Sequence, residues 1–352
     1  MMGHKLGIIG YGGMARWHHT NIARIDGLSV VAAYDIEEER LKAAEEQGLK
    51  AHRSLEAFLQ DDSFDMVLVA TPNIFHCAMT IAALEAGKHV VCEKPVTMSC
   101  AELERMMEAA RKTGRVFTVH HNRRWDKDYR MVRRTIEQGK IGKPYAIESR
   151  VHGQNAVLFG WRNQKASGGG VLLDWGVHMI DQLLIMGQEP VTEVYAQMFS
   201  VISDEVEDYF KLLMRFESGL SALVEVGTFC LESGPRWVVH GEGGSILVRD
   251  WDCSGHIVTA SEYAAGWKPA VVQTVAGPTR TMAPRSRDTL RFDELPNVDD
   301  ISDWCDFYKN VMAAIEGREA LIVTPDQVMR TMRVIECAQE SSKTGQSIKT
   351  RI

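Results

Sequence analysis

Two rhythms of apolar and polar positions divide the chain. From residue 5 to about 120, short β-branched runs alternate with longer stretches of helical period. Leu6-Gly7-Ile8-Ile9 predicts a buried strand, and residues 13 to about 25 a helix behind it. Residues 28–34 read as a second strand and 37–47 as a second helix. Residues 66–70 form a fully apolar strand, after which Asn73 is placed to cap a helix ending at Gly87. Residues 89–92 make a further strand. Ser99 with Glu102 then forms a capping box for a helix that buries Leu103, Met106, Met107 and Ala110 and stops at Gly114. Strands apolar on both faces and separated by helices predict a parallel sheet covered on both sides.

Beyond about residue 140 the period shortens. Phe210, Leu212, Met214 and Phe216 alternate with polar neighbours; Glu217-Ser218-Gly219 makes a turn; Leu220, Ala222, Val224 and Val226 alternate again. Period two predicts an antiparallel sheet with one packed and one wetter face. A helix over residues 170 to about 186 precedes these strands. Two helices close the chain. One buries Ile301, Trp304, Phe307, Tyr308, Val311 and Ile315, and one begins at Thr324-Pro325 with Gln327 completing a capping box. Residues 261–298 hold four of the ten prolines (Pro269, Pro278, Pro284 and Pro296) without a clear period. They read equally as an arm or lid and as a surface excursion.

Composition narrows the class. The chain has 352 residues, 45% hydrophobic and 25% charged, which sets an expectation of about two domains. No apolar run approaches the roughly 18 residues of a membrane span, and Met1-Met2-Gly3-His4-Lys5 leaves no room for a signal peptide before the first strand. A net charge of -7 argues against nucleic acid. Seven cysteines without a C-x-x-C pair indicate neither a disulfide framework nor a zinc site. The expectation is a reduced, cytoplasmic protein with no metal, membrane or nucleic-acid partner.

The candidate chemistry begins at Gly10-Tyr11-Gly12-Gly13-Met14-Ala15, which fits G-x-G-x-x-G/A between a strand and a helix. Gly10 permits the turn, Gly12 lets backbone N–H groups approach a pyrophosphate, and Ala15 allows close helix–strand packing. The second strand ends at Asp35, spaced to accept from the adenosine ribose hydroxyls. Glu37, Glu38 and Glu39 would repel a 2′-phosphate, so NAD is expected over NADP; Arg40 is read as a partner of helix carboxylates. Glu93 and Lys94 follow a buried strand, where ligands of such sheets bind, and Pro95 fixes the backbone after them. Asp174, His178 and Asp181 fall at i, i+4 and i+7 of one helix, either a surface stripe or an inward proton relay.

Together these residues resemble the Gfo/Idh/MocA oxidoreductases, the family of glucose–fructose oxidoreductase and inositol dehydrogenase. The resemblance rests on the glycine loop, Ala70-Thr71-Pro72-Asn73 with His76, Glu93-Lys94-Pro95, and Asp174-x-Gly176-x-His178-x-x-Asp181. It implies an α/β chain. A doubly wound Rossmann domain (residues 1–122) would precede an α+β domain (123–352) with a large, mostly antiparallel open sheet used for homodimer or homotetramer contacts. The C-terminal helix would pack back on the first domain. The resemblance further implies Lys94, Asp174 and His178 as the catalytic group, with Gly10, Gly12, Gly13, Met14, Asp35, Thr71, Pro72, Asn73, His76, Glu93 and Lys94 around the cofactor. The substrate would be a sugar, polyol or glycoside oxidised at a ring hydroxyl. His178 is suited to take the hydroxyl proton and Lys94 to stabilise the alkoxide, with the formal base left open between them. An NAD-retaining glycosidase and a non-catalytic NAD-binding regulator are the competing readings.

Substrate contacts are expected from His121, Asn122 and Arg124 after the last parallel strand, and from Trp161 and Arg162 before the glycine run. His152 and Asn155 are further polar candidates. Trp175 either stacks on a ligand or packs between domains. Lys127, Arg130, Arg133 and Arg134 read as a solvated basic face. His18-His19 has no companion ligands at useful spacing, with His19 placed towards the pyrophosphate.

Overall fold

In a computed structural model, describing residues 3–260, 268, 270–280, 282, 284–299 and 303–352, two sheets organise the chain. Met1, Met2, Pro269 and Ile301, used above, lie outside these residues, as do 261–267 of the proline-rich stretch. The first sheet contains β1 (His4–Ile9), β2 (Leu28–Tyr34), β3 (Lys50–His52), β4 (Met66–Val69), β5 (His89–Cys92) and β6 (Phe117–Val119). Its six strands run parallel in the order β3-β2-β1-β4-β5-β6. Helices α1 (Gly13–Ile22), α2 (Glu38–Glu46), α3 (Leu55–Leu59), α4 (His76–Glu85) and α5 (Cys100–Thr113) connect them. Leu6, Ile8 and all four residues of β4 are fully buried, as apolar strands covered on both faces must be. The strand order reverses between β1 and β4, and a crevice opens there at the carboxyl ends of the strands.

Helix α6 (Lys127–Glu137) leads into β7 (Pro144–His152) and then α7 (Val177–Gly187). There follow β8 (Val191–Phe199), β9 (Tyr209–Phe216), β10 (Ser221–Gly227), β11 (Trp237–Gly241), β12 (Gly244–Val248) and β13 (Gly255–Ala260). A small hairpin, β14 (Val272–Thr274) and β15 (Gly277–Thr279), precedes β16 (Leu290–Asp293). Helices α8 (Cys305–Ile315) and α9 (Pro325–Thr344) and a short β17 (Ile348–Lys349) close the chain. The second sheet has nine strands in the order β16-β13-β12-β11-β7-β10-β9-β8-β17. Every pairing is antiparallel except β7 with β10. Phe210, Leu212, Met214 and Phe216 of β9 are buried on one face, as their alternation requires. Among the described residues no helix is long and apolar enough to cross a membrane.

Helix α9 ties the two sheets together. Thr324 and Gln327 form its complete capping box. Glu336 accepts from the backbone N–H of Cys100 at 2.7 Å, and the Ser341 hydroxyl meets the N–H of Ala196 in β8. Three local expectations change. Asn73 does not cap α4; a 3₁₀ turn, Asn73–Phe75, leads into it, and the Asn73 amide donates instead to the Gly168 carbonyl at 3.0 Å. Glu102 completes only half of a capping box, because its carboxylate takes the N–H of Met98. The helix expected from residue 170 begins as a π-helical turn, Leu172–Gly176. That turn is seated by Gly176, where a Cβ would stand 2.8 Å from the Phe210 ring.

Candidate active site

The loops after β1, β4, β5 and β6 converge on a cavity of about 440 Å³ in the crevice. Gly10 has φ +88°, and a Cβ there would meet the Ala70 carbonyl at 2.8 Å, so this glycine serves the turn itself. Gly12 and Gly13 differ: a Cβ on either would enter open space. No packing within the protein demands glycine there, whereas a phosphate resting on the first N–H groups of α1 does. The loop therefore fits the pyrophosphate of a dinucleotide, with Met14 beside it on the cavity wall.

Asp35 lies behind that wall. Its carboxylate accepts from the N–H of Tyr11 at 2.8 Å and of Glu37 at 2.9 Å, which fixes the glycine loop against the end of β2. Arg40 reaches the wall and bridges Asp35 at 3.4 Å and Glu37 at 3.2 Å. Pairing with a helix carboxylate was expected; a place on the cavity wall was not.

Thr71, Pro72, Asn73 and His76 form the wall after β4. Both His76 ring nitrogens stand 2.8 Å from carbonyl oxygens, those of Pro95 and Thr71. Burial pulls its pKa down, while the contacts to the two carbonyls favour the protonated ring.

Glu93 is buried beneath Lys94. Its Oε1 accepts from His18 Nε2 at 2.7 Å and His120 Nδ1 at 2.9 Å, and its Oε2 from the N–H of Lys94 at 3.1 Å. The Tyr308 hydroxyl donates to His18 Nδ1 at 2.7 Å. Burial alone would raise the Glu93 pKa, but His120 and His18 hold it well below the carboxylate range. Burial, reinforced by His120, lowers His18 to about 4. These two histidines and Glu93 place ligand atoms within 4.8 Å of one another. The nitrogens facing Glu93 are spent as donors to it, so the group is a hydrogen-bonded anchor for the Glu93-Lys94 backbone. Sequence spacing could not show this, since His18, Glu93 and His120 come from three separate elements. His19 bonds the Tyr11 hydroxyl at 2.7 Å and is not on the cavity wall.

Lys94 Nζ donates to both the backbone oxygen and Oδ1 of Asp174 at 2.9 Å. Arg162 Nε reaches the same Oδ1 at 3.2 Å. Burial would raise the Asp174 pKa; the Lys94 and Arg162 charges lower it on balance. Asp174 thus pairs with Lys94 and Arg162 rather than with His178. His178 is 4% exposed, and its Nδ1 has no partner among the described residues. Burial first, then Lys94, Arg123 and His121, push its pKa well below 6.5.

Asn122, Trp161 and Arg162 line the cavity with Lys94, Asp174 and His178. His121 and Arg124 do not. His121 is buried behind His178, with ring centres 6.2 Å apart. Arg124 forms a bidentate pair with Asp181 at 2.6 and 2.7 Å and donates to the Ile322 carbonyl and Gln327, a buried knot joining the 122–125 turn to α7 and α9. Asp181 is spent in that knot. Of the two adjacent arginines it is Arg123 that stands on the cavity wall, stacked 4.1 Å from the Trp175 ring. Trp175 lines the cavity, with the Arg123 guanidinium over its ring.

A family model for NAD-binding Rossmann-fold oxidoreductases matches residues 4–121, and one for the GFO/IDH/MocA C-terminal domain matches 129–247. An NAD-binding protein from Listeria innocua superposes with a TM-score of 0.95 at 40% identity, covering 99% of this chain and 100% of that one. The NADP(+)-dependent scyllo-inositol 2-dehydrogenase IolW of Bacillus subtilis is 29% identical over 98% of this chain and 95% of its own. The 1,5-anhydro-D-fructose reductase of Ensifer adhaerens is 35% identical over 70% of this chain and 76% of its own. With both halves matched and the glycine loop open to a dinucleotide, the chain belongs to the GFO/IDH/MocA family of NAD-binding oxidoreductases.

Proposed function

We propose that the protein transfers a hydride between a ring hydroxyl or ketone of a polyol or sugar and NAD, with Lys94, Asp174 and His178 handling the substrate oxygen and its proton. One observation carries this reading: these three side chains share a cavity with the open Gly12-Gly13 loop. The nicotinamide, when bound, supplies the hydride acceptor. Everything else falls to the chain. Lys94 spends two of its three ammonium hydrogens on Asp174; the third is free to donate to the substrate oxygen and to stabilise negative charge as the proton leaves. His178 is kept neutral by burial and by the charges of Lys94 and Arg123, so it accepts that proton and is the base of the pair. Asp174 positions the Lys94 ammonium, and Arg162 holds Asp174 from the other side.

The acidic surroundings of the loop after β2 support NAD. On that wall a 2′-phosphate would meet Arg40, whose charge Asp35 and Glu37 already offset. Names of relatives support a cyclitol or sugar as substrate. The test is reduction of NAD or NADP in the presence of inositols, hexoses and anhydrohexitols. Turnover of a polyol or sugar with NAD, and a kcat/KM lower by tenfold or more with NADP, is the outcome expected on about 1.4 kcal/mol of charge repulsion. Absence of turnover with the whole panel would overturn the reading.

A further inference from the structure

A second cavity, about 570 Å³, opens directly beside the first. Arg123 and Trp175 belong to both walls, so the two adjoin at the reacting end of the crevice. Its floor is the carboxyl end of β7 and β10, from Val151–His152 and Val226–Gly227. Its sides are the loop after β7 and Trp251, beyond β12. Nothing in the reaction proposed above uses it.

We infer that this cavity is the subsite for a second ring: the substrate is a two-ring glycoside or disaccharide, whose outer sugar sits here while the inner ring is oxidised beside Lys94 and His178. The inference rests on the reading of the first cavity as the hydride-transfer site. Three observations carry it. The first is adjacency: the second space lies next to the one that holds Lys94 and His178, with Arg123 and Trp175 common to both linings. The second is chemistry. The lining pairs large apolar side chains with polar ones: Trp251 and Phe159 are 47% and 75% exposed, and Gln154 and Asn155 stand among them. A pyranose has the same character, apolar C–H faces edged by hydroxyls, and aromatic rings serve such faces. Asp126 offsets the charge of Arg123 at 3.0 Å, and the guanidinium covers the Trp175 ring.

The third observation is that the wall is built rather than incidental. Ala156 holds φ +55°, a strained conformation for a residue with a Cβ, beside the cavity. Backbone bonds keep it there: Gly153 N–H to the Gly227 carbonyl, Ala156 N–H to Thr228, and Cys230 N–H back to Gly153, each 2.8 Å. The start of loop 153–159 is thereby stitched to the end of β10, and Phe159 at its far end joins the lining.

The test compares one-ring and two-ring compounds in the full-length protein with NAD. Glucose and myo-inositol are the one-ring probes; maltose, cellobiose, trehalose and sucrose are the two-ring probes. At least one two-ring probe should show a higher kcat/KM than both one-ring probes. Trp251→Ala and Phe159→Ala should lower that value by about tenfold, mainly through KM, and leave the one-ring values within about twofold. Trp251→Phe should restore most of the loss. Equal losses on both classes, or one-ring probes favoured over every two-ring probe, would overturn the inference. Calorimetric binding in the presence of NAD separates this failure from failure of the proposed reaction. If no probe is turned over but a two-ring probe binds and loses affinity in Trp251→Ala, the subsite stands and the reaction falls. If none binds in a Trp251-dependent way, the subsite falls.

Discussion

A guanidinium taken out of water needs acceptors for its whole donor fork, and Arg124 finds them in Asp181, the Ile322 carbonyl and Gln327. Arg123, one residue earlier, keeps a face on the cavity. Sequence cannot tell such neighbours apart: both are arginines on the same turn, and the partner that claims Arg124 lies 57 residues away. The prediction at this scale is that Asp181→Ala strands a buried cation and lowers stability by about 3–5 kcal/mol in denaturant unfolding. Arg123→Ala should unfold near the wild-type midpoint. A midpoint for Asp181→Ala unchanged from wild type would refute the knot. The buried His178 carries a second prediction. A base must be unprotonated to act, and a pKa held well below 6.5 extends the active range downward, so kcat/KM should show no acid limb centred near pH 6.5. A limb there that disappears in His178→Ala would contradict its neutral, desolvated state.

At the scale of elements, the glycine loop shows how far pattern alone reaches. Its strand, turn and helix are legible because the apolar period and the glycine spacing coincide at residues 6–22. The sequence motif treats its glycines alike, whereas the fold divides their work: Gly10 relieves a turn and Gly12 leaves room for a ligand. Gly10→Ala should therefore cost about 1–3 kcal/mol of stability, from a Cβ against the Ala70 carbonyl at positive φ. Gly12→Val should leave thermal unfolding of the cofactor-free protein near wild type while abolishing measurable NAD affinity. The π turn at Leu172–Gly176 was not legible, for a reason of the same kind. Apolar residues at helical spacing specify a helix but not a local insertion, and the Gly176–Phe210 contact that accommodates this one is long-range. Asp174 lies within that turn. The strand β3 and helix α3 were missed because three and five residues are too few to show a period.

Over the whole molecule, the two textures of the sequence became two sheets, and α9 fastens one to the other. What one sequence could not reveal are pairings between distant segments: the His18–Glu93–His120 anchor, the Arg124–Asp181 knot and the second cavity. Buried histidines leave a global signature. Burial holds His18, His89 and His121 at about 4 in the fold, below the usual 6.5. Unfolding lets them take up protons, so their contribution is complete above about pH 6.5 and is lost as pH falls towards 4. Each costs up to about 1.4 kcal/mol per pH unit in that window. Urea midpoints should be flat from pH 8 to 7 and fall steeply between 6 and 4; a flat profile through pH 5 would contradict their neutral burial. The central claim joins the open glycine loop to the Lys94–Asp174–His178 group in one reaction. The most direct measurement is hydride transfer to NAD from the best polyol or sugar substrate, alongside NAD affinity, in wild type, Lys94→Ala and His178→Ala. The account predicts turnover lower by about 10²–10⁴-fold in each variant with NAD affinity nearly unchanged; wild-type turnover in either variant would contradict it.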